Sequence, residues 1–151
     1  MDLQIAVAGA DARSLCRASG VRAAVFPTLR AAGGRKWLLL ALAWDASHAG
    51  AEAPAAARNL LLAGDAAPTL ACGTGARQVV CYGFSARDTL TLSSLAPGER
   101  MLCLQRSVRT LDGRIVEPQE LPLPPALRPL SNEDALFAAG LRLLAGGIGA
   151  L

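Results

Sequence analysis

The chain has 151 residues, of which 52% are hydrophobic and 18% charged, and its net charge is +3. That apolar content is far above what disordered chains carry, and a chain of this length buries about two-thirds of the surface it exposes when unfolded. An aromatic content of 4% and a small, scattered basic excess argue against a nucleic-acid-binding face, and the longest apolar run, Trp37 to Trp44, falls far short of the roughly 20 residues that span a bilayer.

Taken in order, Leu3, Ile5 and Val7 alternate with polar or small residues and predict a first strand ending at Gly9. Ala10 to Ser19 then reads as a helix with Leu15 and Cys16 inward and Gly20 as its stop. Val21 to Phe26 reads as a second strand closed by Pro27, and Ala31 to Arg35 as a loop. Trp37 to Trp44 is apolar throughout and too short for a typical helix, which predicts a central strand buried on both faces. Ala49 to Ala57 reads as a weak helix or a loop, since its alanines favour a helix and Pro54 opposes one. Asn59 to Ala63 and Gln78 to Tyr82 are short apolar strands ending at Gly64-Asp65 and Gly83. Strands alternating with short crossovers predict a parallel sheet over residues 1–84.

The pattern changes from residue 85. Asp88 to Leu95 and Met101 to Arg109 alternate on either side of the Ala96-Pro97-Gly98-Glu99 turn, and Asp112-Gly113 is a hairpin signal before Arg114 to Val116. These features predict an antiparallel meander over 85–120. Leu121-Pro122-Leu123-Pro124-Pro125 reads as a stiff connector. A closing helix is expected within 131–147, with Ser131 as N-cap, Glu133 and Asp134 at its positive end and Gly146-Gly147 as its stop. The expected architecture is thus α/β, one domain over 1–151: a small three-layer parallel sheet, a meander extension and a C-terminal helix.

The Met1-Asp2-Leu3-Gln4 start, with no basic or continuously apolar segment, reads against a secretory signal and for a cytoplasmic protein. Cys16, Cys72, Cys81 and Cys103 are too widely spaced for a zinc ribbon or finger, and buried, reduced thiols are the expectation.

The run Val80-Cys81-Tyr82-Gly83-Phe84-Ser85, then Asp88-Thr89-Leu90-Thr91-Leu92-Ser93-Ser94-Leu95, Leu121-Pro122-Leu123-Pro124 and Ser131-Asn132-Glu133-Asp134-Ala135-Leu136 follow one another in the order seen in the back half of the central domain of the Mur ligases, which this chain resembles over about 70 residues. The resemblance implies an ATP-using α/β domain of peptidoglycan precursor synthesis, with Asn132 at a nucleotide-contacting position. Three departures bear on that chemistry. The loop after the first strand, Gly9-Ala10-Asp11-Ala12-Arg13, lacks the Gly-Lys-Thr that holds phosphate and magnesium. Lys36, the single lysine, precedes Trp37 with no Ser or Thr beside it, and it cannot also serve as the family's second, carbamylated lysine. The family's C-terminal ligase domain has no counterpart here.

Ligands of open α/β sheets collect at the carboxyl ends of strands, which makes Gly9, Asp11, Asp45 and His48 candidate ligand-binding residues, and the resemblance adds Asn132 to them. Asp45, Ser47 and His48 offer an acid, a hydroxyl and an imidazole for general-base chemistry; a solvated loop is the plainer alternative. Cys72-Gly73-Thr74-Gly75-Ala76-Arg77 resembles the start of a phosphate loop but carries Gln78 where a third glycine is needed, so a turn is the simpler reading. Ser85 and Asp88 read as turn and strand-start residues, without the second glycine of a nucleophile elbow. Arg106 is expected to face Glu117 or Glu120 across strands and pin register, worth about 0.2–1 kcal/mol; the alternative is a polar recognition patch.

The expected function is a non-catalytic, Mur ligase-like binding or regulatory domain, with no metal or required cofactor and with a protein partner or a second copy of itself as its target. A small domain that still holds ATP or another nucleotide or anion is the alternative, and a hydrolase-type enzyme built on Asp45 and His48 is a distant third.

Overall fold

A computed structural model of the chain describes residues 4–49, 55–66, 68–94, 96 and 98–146. Leu3, Pro54, Leu95, Pro97 and Gly147, which carried parts of the expectations above, lie outside the described residues. Ten strands are described: β1 (Ile5–Ala8), β2 (Ala24–Phe26), β3 (Lys36–Leu42), β4 (Ala56–Ala63), β5 (Gln78–Tyr82), β6 (Leu90–Leu92), β7 (Met101–Leu104), β8 (Val108–Arg109), β9 (Ile115–Val116) and β10 (Gln119–Pro122). The helices are α1 (Ala12–Ser19), α2 (Trp44–His48), α3 (Pro68–Thr74) and α4 (Asn132–Leu144). Eight strands form one mixed sheet in the order β10-β7-β6-β5-β4-β3-β1-β2, while β8 and β9 make a separate antiparallel pair. Only β7 runs against the other strands of the sheet.

The apolar run at 37–44 explains the centre. Leu39 and Ala41 point to one face of β3 and Leu40 and Leu42 to the other, all fully buried. On the first face they meet Leu15 and Cys16 of α1 and the buried side of α4; on the second they meet Ala46 of α2 and Leu70 of α3. A strand covered on both faces needs no polar alternation. Gly140 lets α4 settle onto the sheet, since a Cβ there would stand 3.0 Å from Leu61 Cδ1. Ser131 caps α4 as expected, its Oγ accepting from Asp134 N at 3.2 Å.

Several expectations are corrected. β3 stops at Leu42, and Trp44 opens α2, because Ser47 bonds back to the strand end: Ser47 N donates to Ala43 O at 2.9 Å and Ser47 Oγ to Leu42 O at 3.2 Å. The stretch from Asp45 is therefore a short helix rather than a loose loop. β4 begins at Ala56 because Ala56 and Ala57 pair with Lys36 and Trp37. Cys72, Gly73 and Thr74 end α3, and Gly75 follows in a left-handed conformation, so this run is a helix terminus and no phosphate loop. The expected meander is only partly antiparallel, since β6 joins β5 in parallel through Tyr82 and Leu90. The expected strand at 101–109 breaks after Leu104, and its end, β8, leaves the sheet to pair with β9 across the Asp112-Gly113 turn. Leu121 and Pro122 lie in β10 rather than in a connector, because an edge strand tolerates a missing N–H. Arg106 meets neither glutamate: its guanidinium donates to Arg87 O, and Glu117 accepts from Ser107 Oγ at 2.9 Å.

All four cysteines are free thiols. Cys16 is buried, Cys81 and Cys103 are half-buried, and Cys72 is exposed, against the expectation of uniform burial.

Candidate functional site

The strand order reverses at β1, which has β2 on one side and β3 on the other, so a crevice opens between the carboxyl ends of β1 and β3. Gly9 leaves β1 with φ 154°, and a Cβ there would lie 2.7 Å from Ala43 Cβ and 3.0 Å from Asp45 Oδ1. Only glycine lets the two strand ends come this close. The approach delivers the Asp45 carboxylate to the turn after β1, where its Oδ2 accepts from Ala10 N at 2.9 Å. That N–H belongs to the turn in which a phosphate-binding loop would present its amides; here it holds the chain's own acid.

Other acids gather at this crest. Asp11 is exposed just ahead of α1, and Asp134 is half-buried in the first turn of α4. Burial raises the Asp134 carboxyl above its usual range, a hydrogen bond with Ser131 opposes this, and the charges of Asp11, Glu133 and Asp45 add to the rise. The crest is therefore a field of negative charge. Asn132, at the start of α4, is turned to other work: its Oδ1 accepts from Arg100 Nη1 at 3.1 Å, and Arg100 Nη1 also donates to Leu130 O at 3.0 Å. Lys36 lies at the other end of the sheet, where β3 begins.

Farther along the crest, α2 fixes His48 through both ring nitrogens. Nδ1 stands 2.7 Å from Trp44 O and Nε2 2.6 Å from Asp65 Oδ1. A carbonyl and a carboxylate both accept, so this pair of partners favours the doubly protonated ring. Desolvation alone pulls the His48 pKa down, but the bonds to Trp44 and Asp65 and the Asp65 charge outweigh it and raise the pKa above the ordinary value. With both nitrogens engaged by the chain's own acceptors, the ring is poorly placed to take a proton from a bound molecule. Trp44 is the hub of an aromatic cluster, 4.9 Å from the His48 ring, 6.1 Å from Phe84 and 6.2 Å from Tyr82. Tyr82 is buried and donates to Leu42 O at 2.7 Å.

Next to this cluster is a cleft of about 360 Å³ whose walls include Trp44, Asp65, Phe84, Ser85 and Arg87. At its base sits Asp88, which is buried, its Oδ2 accepting from Ser85 N at 3.0 Å. Gly64, after β4, and Gly83, after β5, frame that carboxylate: a Cβ on Gly64 would lie 1.6 Å from Asp88 Oδ1, and one on Gly83 would lie 2.5 Å from Oδ2. Ser85 and Asp88 thus form the expected turn, and the carboxylate does more than start a strand, since it packs against the glycines that follow β4 and β5. The sequence signal for this was a glycine directly after each of two adjacent strands.

Protein-family models, curated proteins and solved structures give no match to this chain. Its chemistry is read from its own residues. Of the five candidate residues, Gly9, Asp11 and Asp45 come together at the β1–β3 crevice, His48 faces Asp65 instead, and Asn132 is held by Arg100. Among the described residues no three metal-ligating side chains gather closely enough to hold an ion, and no helix is long and apolar enough to cross a membrane.

Proposed function

We propose that this chain is a non-catalytic, cytoplasmic binding domain, similar in design to the central domain of the Mur ligases and serving cell-wall precursor metabolism, which docks a protein partner or a second copy of itself. The observation that carries the non-catalytic reading is the Asp45 carboxylate on the Ala10 amide at 2.9 Å, in the crevice where a nucleotide phosphate would otherwise bind. Phosphate brought there meets Asp11, Asp45 and Asp134, and like charges at short range in a partly buried site cost several kcal/mol. The Gly9–Arg13 turn has no lysine or hydroxyl, and its one cation, the exposed Arg13, stands against three acids. The doubly engaged His48 supports the same reading against a hydrolase. The link to the Mur ligases rests on the order of elements from β5 to α4 and is an analogy of fold.

Calorimetric titration with ATP, ADP and a UDP-sugar, with and without magnesium, tests the reading. The expected result is no saturable heat that changes on Asn132→Ala. Replacing Asp45 by Ala, which frees the Ala10 amide and removes a crest charge, is expected to raise affinity for phosphate at the crest. Micromolar binding of any of the three by the unaltered chain, weakened by Asn132→Ala, would overturn it.

A further inference from the structure

At the pole opposite the crest, where β4 and β5 begin, lies a cleft of about 500 Å³ lined by Arg58, Asn59, Arg77, Gln78, Arg109 and Thr110, with Leu38, Leu111 and Gly113 completing the wall. All three arginines are exposed. Among the described residues the ion pairs are His48–Asp65 and Asp112–Arg114, so none of the three guanidiniums pairs with a described carboxylate. The acid on the adjoining hairpin, Asp112, is already taken by Arg114 at 3.3 Å and by the Thr110 hydroxyl. Arg109 Nη1 gives one bond to Gly113 O at 3.3 Å, and the Arg58 and Arg77 side chains bond to no described residue.

The floor between them is rigid. Gln78 Nε2 donates to Asn59 Oδ1 at 3.0 Å and to Arg109 O at 2.9 Å, and Gln78 Oε1 accepts from Arg109 N at 3.0 Å. Asn59 Nδ2 donates to Leu38 O at 3.0 Å. These bonds tie the β8–β9 pair to the starts of β4 and β5, and so hold Arg109 across from Arg58 and Arg77. Three like charges converging on one concavity repel one another, and the described chain supplies no counter-charge there.

We infer that this cleft binds the phosphate or diphosphate group of a small molecule. Guanidinium forks match phosphate oxygens in paired hydrogen bonds, and the volume lies within the range of small-ligand sites. No aromatic side chain lines it, so it offers no platform on which the bases of a single-stranded nucleic acid would stack. The site is independent of the crest and stands whether or not the non-catalytic reading holds.

The test is titration of the full chain with inorganic pyrophosphate at moderate salt, for the unaltered protein and for Arg77→Gln, Arg58→Gln and Arg13→Gln. Arg13 is exposed on α1 beside Gly9, at the other pole. The Arg58 and Arg77 side chains bond to no described residue, the backbone bond from Arg77 N to Arg58 O survives either substitution, and a circular dichroism spectrum checks that each variant is folded. The expected result is saturable binding weakened about tenfold or more by Arg77→Gln and by Arg58→Gln, the loss of one charged hydrogen bond each. Arg13→Gln should leave it within about twofold, which separates this site from the crest. Absence of saturation, or equal weakening by Arg13→Gln, would overturn the inference and leave only general charge attraction.

Discussion

The close packing of Asp88 against Gly64 predicts a large and specific cost for adding one methyl group at Gly64. A Cβ there would stand 1.6 Å from Asp88 Oδ1 and 2.6 Å from Cγ, whereas ordinary contact begins near 3.4 Å. The carboxylate must retreat by about 2 Å from its seat between Gly64 and Gly83. Retreat breaks the 3.0 Å bond from Ser85 N, a charge-assisted bond worth about 1.5–3 kcal/mol, and overpacking adds about 1–3 kcal/mol. Gly64→Ala should therefore destabilise by about 3–5 kcal/mol, a large share of the 5–15 kcal/mol typical of a whole domain. Asp88→Ala removes the obstruction, so Gly64→Ala made in that background should cost under about 1 kcal/mol, a coupling of at least 2 kcal/mol. Urea unfolding of the four proteins of the cycle, followed by circular dichroism, measures both terms. An equal cost of Gly64→Ala with and without the Asp88 carboxylate would refute the argument.

Two further outcomes follow from the titrating side chains. His48 should titrate above pH 6.5 in the folded chain, measured by its ring proton shifts, and Asp65→Asn should bring that midpoint down. Because the folded pKa is the higher one, the stability it contributes is complete below the unfolded value near 6.5 and is lost as pH rises through the folded pKa. With side-chain exposures of 35% and 69% for His48 and Asp65, screening limits this contribution to under about 1 kcal/mol. Among the thiols, exposed Cys72 should react first with a thiol reagent at neutral pH and Cys16 far more slowly, since burial pushes the Cys16 pKa up to about 11 against the pull of Arg13. Mass spectrometry of partly alkylated protein reads the order, and early modification of Cys16 would contradict its burial.

Local signals proved legible wherever one residue type does one local job. The apolar run of β3, the Ser131 cap, the Gly20 stop of α1 and the Asp112-Gly113 turn all stand within a residue or two of where the sequence puts them. α2 and α3 were missed because five and seven residues are too few to display a helical period. β10 was missed because Pro122 forbids only an inner strand. The candidate site was legible in its membership more than in its roles. Asp45 stands out in the sequence, but its partner Ala10 is 35 residues away, and Asp88 meets Gly64 and Gly83 only once β4 and β5 lie side by side. Pairings of this kind depend on register, which no local pattern states.

The net charge of +3 conceals a polarity that ties the two ends of the sheet together. In sheets of this class the amino ends of the helices face the crest, and their exposed N–H groups and dipoles are what ordinarily draw phosphate to it. Here Asp11 precedes α1, Asp45 lies in the first turn of α2, and Glu133 and Asp134 lie in the first turn of α4. The starts of α1, α2 and α4 are thus each met by an acid of the same chain, whereas α3 has none in its first turn, and these acids oppose the attraction of a nucleotide to three of the four helix ends. Arg35, Lys36, Arg58 and Arg77 stand instead at or beside the starts of β3, β4 and β5. There the backbone supplies no such helix ends, and side chains alone carry the positive charge. The inferred anion site at the opposite pole therefore rests on guanidinium groups and not on main-chain dipoles. Guanidiniums differ from a dipole in one respect that matters for function: each can be removed singly by mutation, and the site they form can be dissected charge by charge.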